Sequence, residues 1–164
     1  MSDTIIIKSP FGELRARWED ETLNKIVFGS YVPFEGEVVA VDRVPEHAEY
    51  DVACLLAYFR GETEALSPLR CVPDGSSFQM KVWEATLDIP YGRTASYGEV
   101  AERIGMDPSA SRAVGAALNQ NPLPLIVPCH RIVSASGDLT GFGGGLPWKR
   151  ALLGMEMPQI VLAL

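Results

Sequence analysis

A cysteine and a histidine stand side by side late in the chain, and these two residues are the best suited to covalent chemistry. Cys129 and His130 follow Pro128, whose ring fixes the backbone just before the cysteine. A cysteine attacks as its thiolate, whereas a free thiol is mostly protonated at neutral pH. A neighbouring imidazole can accept that proton, and a carboxylate can orient the imidazole. The pair therefore predicts a nucleophilic cysteine, with Glu156 as the candidate carboxylate.

The pair alone leaves other interpretations open. A buried structural thiol next to an exposed imidazole would give the same Cys-His sequence. A Cys-His hydrolase would also need an oxyanion hole and a substrate cleft. Successive side chains of an extended chain point to opposite faces, so a direct bond between Cys129 and His130 is not expected.

The elements that must position this pair are predominantly helical. Residues 76–77 can cap a helix that ends at 90–92, and a short helix is predicted over 97–104, with Gly105 at its end. Another helix, opened by Asp-Pro-Ser, is predicted over 107–118. Two helices around a tight connection form a helix-turn-helix pattern. The pattern allows nucleic-acid binding, although many such helix pairs bind nothing.

The second helix of that pattern has an unusual surface. Arg112 stands at its start, and Ala113 and residues 115–117 are all small. Small side chains permit close approach to a partner backbone, and an arginine at the helix start can reach a phosphate or a base. The same residues would also suit tight packing inside a core, so the helix alone does not separate the two roles.

The segments next to the cysteine are apolar. Residues 125–127 predict a buried strand, and apolar character resumes at 132–133. Glu156 ends a helix that starts near Leu146. The apolar residues 160–164 predict a strand or an extended piece packed on the body.

The first half has the alternation of a β-sheet followed by a helix. Strands of an antiparallel meander are predicted at residues 5–7, 14–18, 25–28 and 37–41. A helical stripe covers residues 52–59, and a Pro- and Gly-containing linker covers 66–76. The chain is therefore predicted to have two domains, at residues 1–75 and 76–164.

Composition bounds the function. The 164 residues are 47% apolar and 21% charged, which excludes a disordered polymer, a collagen-like fibre and a disulfide scaffold. The sequence has no run of 18 apolar residues, so no membrane span is predicted. The cysteines at 54, 71 and 129 lack metal-site spacing, which predicts free thiols, no bound metal and a cytoplasmic location.

The charge is uneven along the chain. Residues 1–77 hold 14 acidic and 7 basic residues, whereas residues 78–164 hold 7 of each. The net charge of −7 argues against nonspecific binding of anionic polymers over the whole surface. It does not exclude a local site for an anionic polymer in the neutral half, residues 78–164. The acidic excess would also be explained by a role in solubility alone.

Residues 121–133, with the sequence NPLPLIVPCHRIV, closely resemble the active-site signature of the O6-alkylguanine-DNA alkyltransferases, also called methylated-DNA–protein-cysteine methyltransferases. The resemblance continues through residues 96–97, 111–115, 141–146 and 149–156, in that order along the chain. Pro-Cys-His-Arg alone is short, but the ordered set covers nearly all of residues 78–156 and is highly specific. The first half resembles the family's N-terminal domain only in outline.

The resemblance implies an α/β (α+β) fold. In the family, a small antiparallel-sheet domain of ribonuclease H-like type precedes a helical alkyltransferase domain with a winged helix-turn-helix. It also implies DNA repair by direct, irreversible, single-turnover transfer of an alkyl group from O6-alkylguanine after nucleotide flipping. O4-alkylthymine is a second candidate substrate. The implied partner is double-stranded DNA, with no cofactor, no membrane and no obligate protein partner. The chain is then expected to be a monomer in the cytoplasm, on the nucleoid when bound to DNA, or in the nucleus of a eukaryote.

The resemblance also assigns the catalytic roles. Cys129 matches the alkyl acceptor and His130 the residue that deprotonates it through a water. Glu156 matches the carboxylate that orients the histidine, and Asn121 matches the polar residue that fixes the active-site turn.

Further positions match the family's substrate and DNA contacts. Arg112 matches the finger that replaces the flipped base, on a DNA-binding helix that includes Ala113. The implied nucleotide-pocket residues are Tyr97, which also contacts the DNA backbone, Leu118, Ile132, Phe142 and Gly143. Phe142 departs from the family, where many members carry tyrosine. The first half offers no cysteine and histidine set for the structural zinc of some members.

Two further functions compete with alkyl transfer. A lesion-binding sensor would flip the base without transfer, but members of that branch replace the cysteine and lack the first domain. A transcription regulator using the helix-turn-helix would need a sensory or dimerising domain and more basic charge. Neither pattern is evident in the sequence.

Overall fold

A computed structural model describes residues 2–33, 35–137, 139 and 141–158, which fall into two compact units, residues 1–69 and 70–164. The sequence predicted a boundary after residue 75. Residue Arg70 belongs to the second unit because its guanidinium contacts the Leu87 carbonyl at 3.1 Å and the Asp88 carboxylate at 2.5 Å. The predicted linker, residues 66–76, is therefore hydrogen-bonded through Arg70 to the end of the helix that follows.

The first unit is a four-stranded antiparallel sheet with one helix. Its elements are β1 (Ser2–Ser9), β2 (Gly12–Glu19), β3 (Thr22–Phe28), β4 (Val39–Ala40) and α1 (Glu49–Phe59). Alternate residues of β1 and β2 are buried, as the period-two pattern predicts. Trp18 is fully buried, and its indole N–H donates to Asp51 of α1 at 2.8 Å. This bond ties the helix to the sheet.

The strand order β3-β2-β1-β4 corrects one prediction. The first three strands form the predicted meander, but β4 pairs with β1 and not with β3. Asp20 and Glu21 both have positive φ, 47° and 63°, as a two-residue hairpin turn of the type I′ class requires. The pairing of β4 depends on contacts distant in sequence, which local alternation does not encode.

The second unit is helical with one short parallel strand pair. Its elements are α2 (Ser77–Leu87), β5 (Ala95–Ser96), α3 (Tyr97–Arg103), α4 (Ser111–Asn119), β6 (Ile132–Val133) and α5 (Leu146–Glu156). Ser76 caps α2 and Ser96 caps α3, each in a reciprocal capping box with the side chain three residues on. With the sheet of the first unit, this arrangement confirms the α+β class.

The helix pair α3–α4 has the predicted connection. Gly105 follows α3 with a φ of 80°, and Asp107 accepts the Ser109 N–H at 2.8 Å before α4 begins. Inside the unit, the Trp83 indole donates to the Ala117 carbonyl at 2.9 Å and so links α2 to α4. The pairing of β5 with β6 then places the start of α3 beside the chain that follows Cys129.

The predicted strand over residues 125–127 is wrong, although its burial is confirmed. Leu125 is 2% exposed and has a φ of 77°, and the segment forms a turn between Pro124 and Val127, which share an isolated bridge. Buried apolar runs do not by themselves distinguish strands from packed turns. The predicted C-terminal strand over 160–164 lies outside the described residues.

Across the part of the chain that the structure describes, no helix has the length and apolar character needed to cross a membrane.

Candidate active site

The backbone around Cys129 is set by a proline-centred turn. Pro128 has φ −79° and ψ 63°, and the Cys129 N–H bonds to the Val127 carbonyl at 2.7 Å. This geometry is an inverse γ-turn, for which the fixed φ of proline is well suited. Residues Cys129–Arg131 then form a 3-10 turn, so the thiol stands at the start of a tight turn and does not follow the strand predicted over residues 125–127.

Asn121 closes the loop that carries the thiol. Its side-chain oxygen accepts the Leu123 N–H at 2.9 Å, and its side-chain nitrogen donates to the Val127 carbonyl at 3.0 Å. The same nitrogen lies 3.5 Å from the Cys129 sulfur, within range of an N–H···S bond. The structure thus brings the Asn121 side chain to both the turn and the sulfur, and its part in the reaction stays a prediction.

His130 and Glu156 form a buried pair. His130 Nε2 and Glu156 Oε2 are 2.6 Å apart, and their side chains are 0% and 1% exposed. The other ring nitrogen, Nδ1, is buried and makes no hydrogen bond to any described residue. No hydrogen bond joins Cys129 and His130 directly, so any proton exchange between them needs an intermediary.

The surroundings of the pair favour an ionised glutamate and, mainly through burial, a neutral histidine. Burial alone would raise the pKa of Glu156, but the contacts with His130 and Arg131 outweigh it and hold the pKa at about 2. Burial lowers the pKa of His130, and the nearby Arg131 and Lys149 charges act in the same direction against the opposing effect of Glu156.

Lys149 is a buried cation whose charge acts on the Cys129 thiol. Its Nζ donates to the Ile132 carbonyl at 2.5 Å and lies 3.4 Å from the Tyr97 hydroxyl and 5.7 Å from the centre of that ring. Burial lowers the pKa of Lys149 to about 8, although the charge of the Cys129 thiolate favours the ammonium form.

The thiol itself is held mainly in its protonated form. Burial raises the pKa of Cys129, and the Asn121 side chain, the Lys149 charge and backbone amides oppose that rise. A thiolate at this position therefore needs a base that takes the proton and a positive environment that stabilises the anion. His130 with Glu156 can supply the first, and Lys149 can supply the second.

The remaining predicted pocket residues fall into two groups. Leu118 and Ile132 belong to the core cluster that includes Cys129, and Phe142 packs partly buried against it. The Tyr97 ring lies over α4, at 3.7 Å from the position that a Cβ on Gly115 would occupy. The small residue in α4 thus leaves space for the tyrosine.

The predicted DNA-binding residues Arg112 and Ala113 are on the exposed side of α4. Arg112 and Ala113 are exposed at the start of α4, and Ala116, one turn further, is exposed as well. Gly143, the remaining predicted nucleotide-pocket residue, is exposed on the segment before α5, and a Cβ there would meet no atom within 4 Å.

The sequence did not predict individual roles for two residues of the site, Lys149 and Arg131. The signal for Lys149 was available, because residues 149, 152, 153 and 156 share one helix face at spacing i, i+3, i+4 and i+7, and this face is buried. The contact of Arg131 with Glu156, at 2.7 Å, had no such signal because it depends on the turn at Cys129.

Among the described residues, no group of three or more His, Cys, Asp or Glu side chains is placed to hold a metal ion.

Comparison with known proteins gives concordant matches. A family model for the DNA-binding domain of 6-O-methylguanine DNA methyltransferase matches residues 77–158. The chain is 40% identical over 154 residues to a methylated-DNA–protein-cysteine methyltransferase of Methanosarcina acetivorans, which covers 92% of this chain and 96% of the relative. A protein of the same name from Haemophilus influenzae is 39% identical over 155 residues and covers 90% and 82%. The crystal structure of Mycobacterium tuberculosis OGT in complex with DNA aligns with a TM-score of 0.72 at 41% identity, over 93% of this chain and 91% of that one.

Proposed function

The chain belongs to the methylated-DNA–protein-cysteine methyltransferases, enzymes that repair alkylated DNA, and from this premise we propose that it transfers the alkyl group of O6-alkylguanine to Cys129. The observation that carries the proposal is the buried His130–Glu156 pair directly after the cysteine, in which His130 Nδ1 makes no hydrogen bond to any residue that the structure describes. This arrangement is a base held in place by a carboxylate.

The transfer has a simple balance of bonds and protons. The Cys129 thiol gives its proton to His130 Nδ1 through a water, because no direct hydrogen bond joins the two residues. The thiolate attacks the alkyl carbon, a C–S bond forms, and the C–O6 bond breaks with its electron pair left on guanine. A donor must then protonate the guanine, and Tyr97 is the candidate, at N3. Lys149 Nζ, 3.4 Å from that hydroxyl, would stabilise negative charge on its oxygen.

The reaction is expected to occur once per molecule. The product is a thioether, in which the sulfur has no proton left to lose and the C–S bond is stable in water. The base at His130 cannot reverse that bond. We therefore expect each chain to repair a single lesion, without a cofactor.

The burial of the acceptor implies a flipped nucleotide. Cys129 is 9% exposed, and O6 of guanine is enclosed within the base stack, so the base must leave the duplex to meet the sulfur. Exposed Arg112 at the start of α4 is the candidate side chain to fill the vacated space. The small exposed residues Ala113 and Ala116 would allow α4 to approach the DNA closely.

The deciding experiment measures the intact mass of the protein after mixing with duplex DNA that carries one O6-methylguanine. One added methyl group on Cys129, located by peptide mapping, with guanine restored and no second turnover, supports the proposal. The variant Cys129→Ser should bind DNA without gaining mass, whereas the exposed-thiol control Cys71→Ser should behave as wild type. A duplex with O4-methylthymine tests the second candidate substrate. Tight lesion-selective binding without a mass change would instead identify a lesion sensor.

A second experiment tests flipping. Arg112→Ala should slow repair of duplex DNA far more than reaction with the free O6-alkylguanine base, because only the duplex needs a wedge. Arg150→Ala, which removes an exposed arginine from α5, is the matched control. Equal losses on both substrates would contradict the assigned role of Arg112. Light scattering after gel filtration, with and without DNA, tests the expectation of a monomer.

A further inference from the structure

Arg131 joins three segments of the second unit that lie far apart in sequence. Its Nε donates to Glu156 Oε1 at 2.7 Å, and its Nη1 donates to the Ile89 carbonyl at 2.7 Å. Its guanidinium carbon lies 5.7 Å from the centre of the Tyr91 ring, and its side chain is only 11% exposed. The arginine is therefore held in one orientation, with its charge directed at one oxygen of the glutamate.

This contact decides what Glu156 can do. A guanidinium has only donors, so the oxygen that faces it must accept. The titratable and charged groups that face Glu156 include His130, Arg131 and the Tyr91 ring, and those that face His130 also include Lys149. If Glu156 were protonated, Oε2 would have to carry the hydrogen and donate it to His130 Nε2. The neutral ring would then carry its own proton on Nδ1 and could not accept one from the thiol side.

We infer that Arg131 is a positioning residue that keeps Glu156 a carboxylate and thereby keeps the proton of the neutral His130 ring on Nε2. With Nε2–H donating to Oε2, Nδ1 retains its lone pair for the incoming proton. The placement of the ring proton depends only on contacts in the structure. The step in which Nδ1 accepts the thiol proton rests on the proposed function.

The ring proton can be observed without any substrate. Nitrogen-15 NMR of the histidine-labelled chain distinguishes the two neutral tautomers, and the only other histidine is His47, which His47→Gln removes from the spectrum. At neutral pH the wild type should show Nε2–H at His130. Arg131→Gln should shift a substantial fraction of the ring to Nδ1–H, whereas Arg131→Lys, which retains a charged donor, should largely restore Nε2–H. Arg93→Gln, at an exposed arginine on the neighbouring turn, should leave the spectrum unchanged.

Methyl transfer gives the second measurement. Arg131→Gln should slow transfer by about 10- to 100-fold, the loss seen when the outer partners of metal-binding histidines are replaced, and should move the acidic limb of the pH–rate profile to higher pH. A merely structural role would lower the amount of active protein without moving that limb.

The outcomes separate this inference from the proposed function. An Nδ1–H ring in the wild type, or an unchanged tautomer and pH profile in Arg131→Gln, overturns the inference even if methyl transfer is intact. A tautomer shift in Arg131→Gln supports it even if the wild type takes no methyl group. If Arg131→Gln does not fold, the wild-type and Arg131→Lys spectra decide, since Nδ1–H in either one contradicts the inference.

Discussion

Replacing Glu156 by glutamine should lower the stability of the second unit by an amount that depends on pH. The pKa of Glu156 falls from its ordinary value of 4.5 to about 2 in the folded chain. That fall corresponds to about 3 kcal/mol of stabilisation in neutral solution. Because the side chain is 1% exposed, solvent screening takes little from this figure.

The sign of the pH dependence follows from the direction of the change. The folded chain binds the Glu156 proton less tightly than the unfolded chain does, so the stabilisation is complete above about pH 4.5 and is lost as the pH falls toward 2. His130, whose pKa is lowered by burial, adds a destabilisation in the same direction once the pH drops below its ordinary value of 6.5. Acid should therefore lower the stability of the second unit through both Glu156 and His130.

The assay is urea unfolding at pH 7, 6, 5, 4 and 3, followed by tryptophan fluorescence. Replacing Trp18 by phenylalanine leaves Trp83 and Trp148, both buried in the second unit, as reporters. At pH 7, Glu156→Gln should unfold with a free energy lower by about 3 kcal/mol, and this gap should narrow by about 2 kcal/mol between pH 6 and pH 3. Glu102→Gln, at an exposed carboxylate of α3, is the control. A gap that is constant from pH 7 to pH 3, or one below about 1 kcal/mol at pH 7, would refute the reasoning.

Three other changes have defined outcomes. Ser76→Ala removes the side-chain acceptor at the start of α2 and should lower the free energy of unfolding by about 1 kcal/mol, measured by urea denaturation. Gly115→Ala should raise it by about 0.5–1 kcal/mol, because its Cβ would sit at an ordinary 3.7 Å from the Tyr97 ring and alanine favours the helix; a loss of stability would show that α4 has no room there. Lys149→Met should raise the pKa of the Cys129 thiol, because the nearby positive charge is lost. The pH dependence of iodoacetamide modification checks this, and an unchanged profile would contradict the role given to the lysine.

Features that depend on neighbouring residues were predicted well from the sequence. The serine cap of α2, the glycine after α3 and the alternation in β2 each act over a few residues, so the local pattern is enough to place them. Glu156 was also placed correctly at the end of α5, because the apolar spacing of that helix predicts its length.

Features set by distant contacts were not predicted. Residues 125–127 have the composition of a buried strand, yet the side chain of Asn121 bonds across the loop and Leu125 adopts a positive φ. The pairing of β4 with β1 likewise depends on the path of the intervening chain. The contact between Arg131 and Glu156 joins residues 25 apart, and only the fold brings them together.

The inverse γ-turn at Pro128 has a kinetic consequence. A proline, a buried loop and the Asn121 side chain fix the sulfur together, so the protein has little freedom to extend its nucleophile toward a lesion. Opening of the base pair would then govern the speed of repair, and weakly stacked or mispaired alkylguanines, which open most readily, would be repaired first. Selectivity among lesions would thus arise from the mechanics of the DNA, before any bond to sulfur forms.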